Sequence, residues 1–190
     1  MGSYSVIAEV GTQLVNCLVR GLVPELVQDP NGIGLRHPAD KGDVSLGLFL
    51  YDIRESSEIR ESGMINAGLD TQRFPPVYLS LYYMITAYSG SDVKFRSLQE
   101  QRMLGRTMQV FHDDPLLSAD YGGTAQPQLH VQLLDLSMEE KLQIWGNNNG
   151  TPYRTSLFYR VSPVALESAK TKRISRVADI DVRLLEPERE

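Results

Sequence analysis

His112, Asp113 and Asp114 stand side by side, and an imidazole next to two carboxylates is a donor set that metal ions accept. The triplet also closes a helical pattern just before Pro115, where a histidine suits the negative end of the helix dipole. Nothing elsewhere in the chain supplies an obvious second half for such a site. A solvated helix end is the favoured reading, and no metal ligand or catalytic residue is assigned. Asp179 and Asp181 flank Ile180 in an alternating stretch, so both point away from its apolar side, and exposed strand polarity accounts for them better than a bound cation. Asn31-Gly32-Ile33-Gly34 has the glycines of a phosphate cradle, but such a loop follows a strand and opens a helix. This one follows a helix and precedes a strand. No G-x-S-x-G elbow occurs, and Cys17, the single cysteine, lies in an apolar helical pattern, so nucleophilic catalysis has no support and Cys17 reads as a small core residue. No cofactor is expected.

Two basic clusters remain. Lys94, Arg96, Arg102 and Arg106 fall on one helical segment, and Lys170, Lys172, Arg173 and Arg176 precede the last alternating stretch. Phosphate contact is one use of such clusters. The net charge of −5 does not advertise a nucleic-acid binder, and no run of stacking aromatics is interleaved with the basic residues as single-strand binders usually show. A solvated surface comes first, a protein interface second and nucleic acid last, so no nucleic-acid partner is expected.

These residues need elements to hold them. Val6, Val10, Leu14, Leu18 and Leu22 recur every fourth position, with Ile7 and Cys17 on the flank, which predicts a helix ended by Pro24. Its charged and amide residues, and the lack of a basic start, separate it from a signal peptide, so the chain is expected to be made and kept in the cytoplasm unless a non-Sec route or lysis releases it. No apolar run reaches the roughly 18 residues of a membrane span, and no membrane insertion is expected. Residues 28–43 hold three glycines and two prolines and predict a long loop without regular structure. Val44–Glu55 predicts a strand apolar on both faces and hence central, with Leu46, Leu48 and Leu50 on one side and Phe49, Tyr51 and Ile53 on the other.

Residues 56–76 form a polar flap or arm with Ile59, Met64 and Ile65 as its apolar points. Phe74–Ser89 then carries the strongest alternation in the chain. Val77, Leu79, Leu81, Tyr83, Ile85 and Ala87 share one face; Tyr78, Ser80, Tyr82, Met84, Thr86 and Tyr88 share the other. The first face belongs against a core, and the tyrosine face suits water or another protein. The strand is expected to run for about 12 residues, twice the common length. Ser91 or Asp92 caps a second helix whose Leu98, Leu104, Met108 and Phe111 are expected to face inward. Leu129–Leu133 predicts a strand, Ser137 and Glu140 form a capping-box pair for a third helix, and Thr155–Ser162 and Val177–Leu185 predict closing strands. The whole is expected to be one domain of α+β class: a mixed, largely antiparallel sheet of about five strands with helices on one face, and a disordered tail at 186–190.

Several segments resemble one family: SVIAEVG at Ser5–Gly11, DPNGIGL at Asp29–Leu35, PADKGD at Pro38–Asp43, YDIRE at Tyr51–Glu55, FPPVYLSLYYMITAY at Phe74–Tyr88, EQRMLGR at Glu100–Arg106 and LSMEEK at Leu136–Lys141. They are similar to the cap, or tail-terminator, family of contractile phage-tail-like injection systems, over nearly the whole chain from Ser3 to Leu185. The longest motif is the most specific. Some family members carry a longer C-terminal extension. The resemblance implies a tail-terminator-like fold and a structural protein without catalysis. It implies a homo-oligomeric ring, typically a hexamer, on the distal end of the inner tube and sheath, which stops polymerisation and anchors the last sheath layer. It also implies assembly in the cytoplasm and a place in a tail-like particle that lysis can release.

On that reading Tyr78, Tyr82 and Tyr88 line a protein-contacting face. Ile59, Arg60, Met64 and Ile65 reach an adjacent subunit, and Arg96, Arg102 and Arg106 meet an acidic tube or sheath surface. A baseplate or tail-completion adaptor has similar needs. The alternative of a different class is a small metal-dependent cytoplasmic enzyme built on His112, Asp113 and Asp114.

Overall fold

The computed structural model describes residues 4–40, 42–57, 59, 63–66, 68, 70–117, 127–146 and 151–173. Helix α1 spans Val6–Leu22, and its buried residues include the expected stripe of Val6, Val10, Leu14, Leu18 and Leu22 together with Cys17. The loop that follows is not free of regular structure. Strand β1, Ile33–Leu35, lies between short 3-10 turns at Pro30–Gly32 and Pro38–Asp40. Asp29 opens the first of these turns by accepting the Asn31 N–H at 2.9 Å, an Asx-type contact that periodicity does not register.

The remaining strands are β2, Leu46–Glu55; β3, Ile65–Asn66; β4, Thr71–Arg73; β5, Val77–Ala87; β6, Leu116–Leu117; β7, Leu129–Leu133; β8, Ser156–Leu166; and β9, Thr171–Arg173. Helix α2 covers Val93–Asp113 and α3 covers Met138–Trp145. The main sheet has six strands in the order β1-β2-β5-β8-β7-β6. Only β1 and β2 pair in parallel; the other pairs are antiparallel, so the sheet is mixed and largely antiparallel as expected. The expected flap contributes β3 and β4 to a separate three-stranded sheet completed by β9. The expected strand Val177–Leu185 and the tail at 186–190 lie outside the described residues.

Two irregularities aim side chains. Opposite β5, β2 slips register between Leu50 and Asp52, leaving Tyr51 as an extra residue. A bulge of this kind resets the alternation. Ile53 therefore pairs with Leu81, on the face opposite to the one expected from its spacing with Phe49 and Tyr51. β2 is also central only in part, because β1 covers just Leu46–Leu48. The second slip lies between β5 and β8, where Ser162 and Pro163 together oppose Ser80. Pro163 has no N–H for a ladder, and a bulge is where a strand tolerates proline. The strand thus continues past the expected stop at Ser162 to Leu166.

The larger core lies between one sheet face and α1 with α2. It joins Leu14, Leu18 and Leu22 to Leu81, Tyr83, Ile85, Val161, Met103 and Phe111. Gly21 sets how close the two helices come, since a Cβ there would meet Val110 Cγ2 at 2.3 Å. The helices are not confined to one face. α3 covers part of the other, where Met84, Phe158 and Trp145 form a smaller core with Phe49, Tyr51 and Ile144. Its first turn is the expected capping box: Ser137 Oγ accepts from Glu140 N–H at 3.2 Å, and Glu140 Oε2 accepts from Ser137 N–H at 2.8 Å. Asp92 is the N-cap of α2 but makes no side-chain capping bond.

Candidate interface surfaces

The residues whose types could do chemistry do not converge. His112, Asp113 and Asp114 are all exposed at the C-terminal end of α2, and among the described residues no group of three or more His, Cys, Asp or Glu could hold a metal ion. Cys17 is buried, and that burial pushes its thiol pKa up. Asn31 and Gly32 belong to a 3-10 turn that leads into β1 and not into a helix. Lys170, Lys172 and Arg173 are exposed on β9 and just before it, whereas Arg176, Asp179 and Asp181 lie outside the described residues. Among the described residues no helix is long and apolar enough to cross a membrane.

The tyrosine face of β5 is less open than its alternation implies. Met84, Thr86 and Ser80 are buried, the first under Trp145 and Phe158, and Thr86 shares a 2.8 Å hydroxyl contact with Ser156. Tyr88 is only 6% exposed. It lies next to Gly47 and beneath the Arg154 guanidinium, 5.5 Å from the ring centroid, and burial raises its phenol pKa. Tyr88 therefore has little exposed surface in the single subunit. Tyr78, near the start of β5, and Tyr82, at its middle, stay half-buried. Tyr82 lies 6.1 Å from the Tyr51 ring, with Arg54 stacked over it at 5.0 Å. The Tyr51 phenol is pushed up to about 12, chiefly by burial and then by the Asp52 carboxylate. With His37, Phe49, Leu136 and Ile144, these groups line a shallow depression of about 570 Å³.

In the flap, Ile59, Met64 and Ile65 are half-buried, and Arg60 lies outside the described residues. An ion pair from Arg73 to Glu167 at 2.9 Å ties this small sheet to the end of β8. The three α2 arginines differ. Arg102 is exposed. Arg96 is half-buried, and its Nε has no partner among the described residues. Arg106 is engaged within the chain, donating from Nε to the Gly21 carbonyl at 3.0 Å and from its terminal nitrogen to Gln109 at 2.7 Å. It satisfies a carbonyl at the end of α1, as a cation at a helix C-terminus does.

Sequence reasoning missed the apolar surface of the helices. Leu104 and Phe111 face inward as expected, but Leu98 is 48% and Met108 41% exposed, because the inward stripe runs through Met103, Leu104, Thr107 and Phe111. Phe95 on α2 and Met138 and Leu142 on α3 are exposed as well. An open groove of about 960 Å³ follows the α2 face that carries Met108 and His112, with Leu133, Tyr159 and Pro163 on its other side. A helical wheel centred on Met103 and Thr107 would have placed Leu98 and Met108 outside.

The fold is of α+β class, a mixed sheet with helices on both faces, and among the described residues the groups that could do chemistry do not converge. The chain belongs to the Pvc16 N-terminal domain family, whose pattern matches residues 9–179. Its fold is similar to that of a chain described as the PVC sheath/tube terminator of an extracellular contractile injection system in the extended state. The TM-score is 0.63 at 19% identity, over 96% of this chain and 64% of that one. It is also similar to the anti-feeding prophage cap, described as a tube terminating cap, with a TM-score of 0.64 at 21% identity over 92% of this chain and 60% of the other. The chain thus spans less than two thirds of the length of either structure. None of the curated proteins matches it in sequence.

Proposed function

We propose that this protein is a structural cap, or tail terminator, of a contractile injection system. It oligomerises as a ring, a hexamer on the tail symmetry the family resemblance implies, seated on the distal end of the inner tube and sheath. There it ends polymerisation and anchors the last sheath layer. The observation that carries this reading is the agreement of two independent comparisons over almost the same residues. The family match runs from 9 to 179, and the fold likeness to a terminator and to a cap covers more than nine tenths of the chain.

A cap works by presenting surfaces, and the geometry supplies them. Tyr78 and Tyr82 give half-buried amphipathic area on that sheet face, the rings best suited to a partly wet contact. Ile59, Met64 and Ile65 give the flap apolar points for a neighbour, and Arg60 belongs to the same segment. Arg96 and Arg102 present positive charge toward tube or sheath, giving orientation more than affinity. No catalysis, cofactor or metal enters this role. Assembly takes place in the cytoplasm, and the particle leaves on lysis.

Deleting the gene in a strain that makes the particles is the direct test. The expected result is tubes and sheaths of uncontrolled or unstable length, seen by negative-stain microscopy. Particles with a normal, narrow length distribution would overturn the proposal.

A further inference from the structure

We propose that the outer face of α2 and the outer face of α3 are two halves of one contact, so that α2 of one copy docks on α3 of the next. This deepens the capping role and rests on it, and it moves Arg102 from the tube or sheath surface to the neighbouring copy. Phe95, Leu98 and Met108 leave apolar area exposed along α2, and Met138 and Leu142 do the same on α3. Single exposed apolar residues are ordinary, but Met138 and Leu142 lie one turn apart on α3, and Phe95 and Leu98 are neighbours on the outer side of α2, with Met108 on its flank. The charges around them differ in sign. Lys94 and Arg102 stand exposed beside Phe95 and Leu98, and among the described residues no carboxylate pairs with either. Glu100, the acidic residue between them, is held inside the chain by Arg154 at 2.9 Å. Around Met138 stand the exposed Asp135 and Glu139, with Glu140 turned back into the capping box. The counter-charges are half-buried Lys141 on α3 and, on α2, the exposed Asp92 at its N-cap beside Lys94, with Asp113 and Asp114 at the far end.

Gly105 adds an independent sign. It lies in the interior of α2 on the exposed side, and a Cβ there would meet nothing within 4 Å. A helix-interior glycine weakens its helix, and nothing within the chain requires this one. A second backbone approaching closely at that point would require it.

The placement sets the kind of assembly. α2 lies over the sheet face that holds Leu81, Tyr83 and Ile85, and α3 over the reverse face that holds Met84 and Phe158. Two different patches on opposite sides make a heterologous contact, which closes into a ring when the rotation allows it.

The test uses two charge-reversed versions of the full chain, Lys94→Glu/Arg102→Glu and Asp135→Lys/Glu139→Lys, compared with wild type by sedimentation velocity at low and high salt. Wild type is expected above the single-chain mass of 21.3 kDa, each variant at that mass, and their equimolar mixture back at the wild-type mass. The mixture regains mass because each reversed face then meets the other chain's reversed face. Leu98→Ser, a milder change, is expected to weaken self-association at least tenfold while keeping the wild-type circular dichroism. A wild-type chain that is monomeric throughout, a variant that keeps its mass, or a folded mixture that stays monomeric would overturn the pairing. If a monomeric chain still ends tube growth, the pairing fails and the capping role stands. If the α2 variant self-associates normally but no longer ends tubes, α2 faces the tube and the pairing is wrong.

Discussion

The two faces of the main sheet are built from the same strands and are finished differently. Under α1 and α2 the strand residues are largely apolar, and Leu81, Tyr83 and Ile85 are almost fully buried. On the reverse, the eight-residue α3 covers Met84 and Phe158 through Trp145 and leaves Tyr78 and Tyr82 half-buried. The first face is where burial holds the subunit together. The second is covered only in part. A subunit that must fold before it assembles needs this division, because a surface kept for a partner cannot also serve the monomer's core.

Neighbouring residues test the division most strongly. Leu81→Ala removes a fully buried side chain and is expected to cost about 2–5 kcal/mol, lowering Tm by at least about 5 °C. Tyr82→Ala, one residue away on the other face, is expected to cost under about 2 kcal/mol and to act mainly on assembly. Equal losses from the two, measured by thermal or urea unfolding, would erase the distinction between the faces.

Two of the helical glycines sharpen it next. Gly21→Ala pushes a methyl into Val110 and is expected to destabilise by about 1–3 kcal/mol. Gly105→Ala meets open space and is expected to stabilise the free subunit by up to about 1 kcal/mol while weakening self-association. If Gly105→Ala left assembly untouched, close approach at α2 would lose its support.

The smaller effects belong to α3. Ser137→Ala removes the N-cap and is expected to cost about 1 kcal/mol, with loss of order confined to α3 and the Trp145 environment, read as a change in tryptophan fluorescence. The smallest concerns acid. The N–H and hydroxyl of Ser137 hold the Glu140 carboxyl below its ordinary value of 4.5. A group whose pKa is depressed by folding adds stability above its unfolded pKa and loses it as pH falls through the folded value. The capping box is therefore expected to weaken below about pH 4.5, and Glu140→Gln to flatten that part of the stability curve.

Much of this architecture was legible in the chain itself. The fourfold spacing of α1, the alternation of β5 and the Ser137–Glu140 pair each state a local physical rule, and each element forms where its rule puts it. What escaped was set by tertiary context. β1 is three residues long and exists because β2 offers it an edge. The bulge at Tyr51 turns Ile53 to the other face, and no pattern of residue types announces it. Pro163 argues against a strand until the slip opposite Ser80 makes room. Among the candidate site residues, Tyr88 and Arg106 are types that suit an interface, and both have partners inside the chain that spacing does not announce, Tyr88 under Arg154 and Arg106 on the Gly21 carbonyl. Leu98 and Met108 are assigned to the core by spacing and lie on the surface.

The central claim is that this subunit acts by seating on the end of a tube and sheath. Cryo-electron microscopy of isolated particles, with an epitope tag placed on the chain, measures that most directly. The account predicts density for a closed ring at one end only, the end away from the baseplate, carrying the tag. A tag found along the tube wall, at the baseplate, or absent from particles whose ends are complete would contradict it.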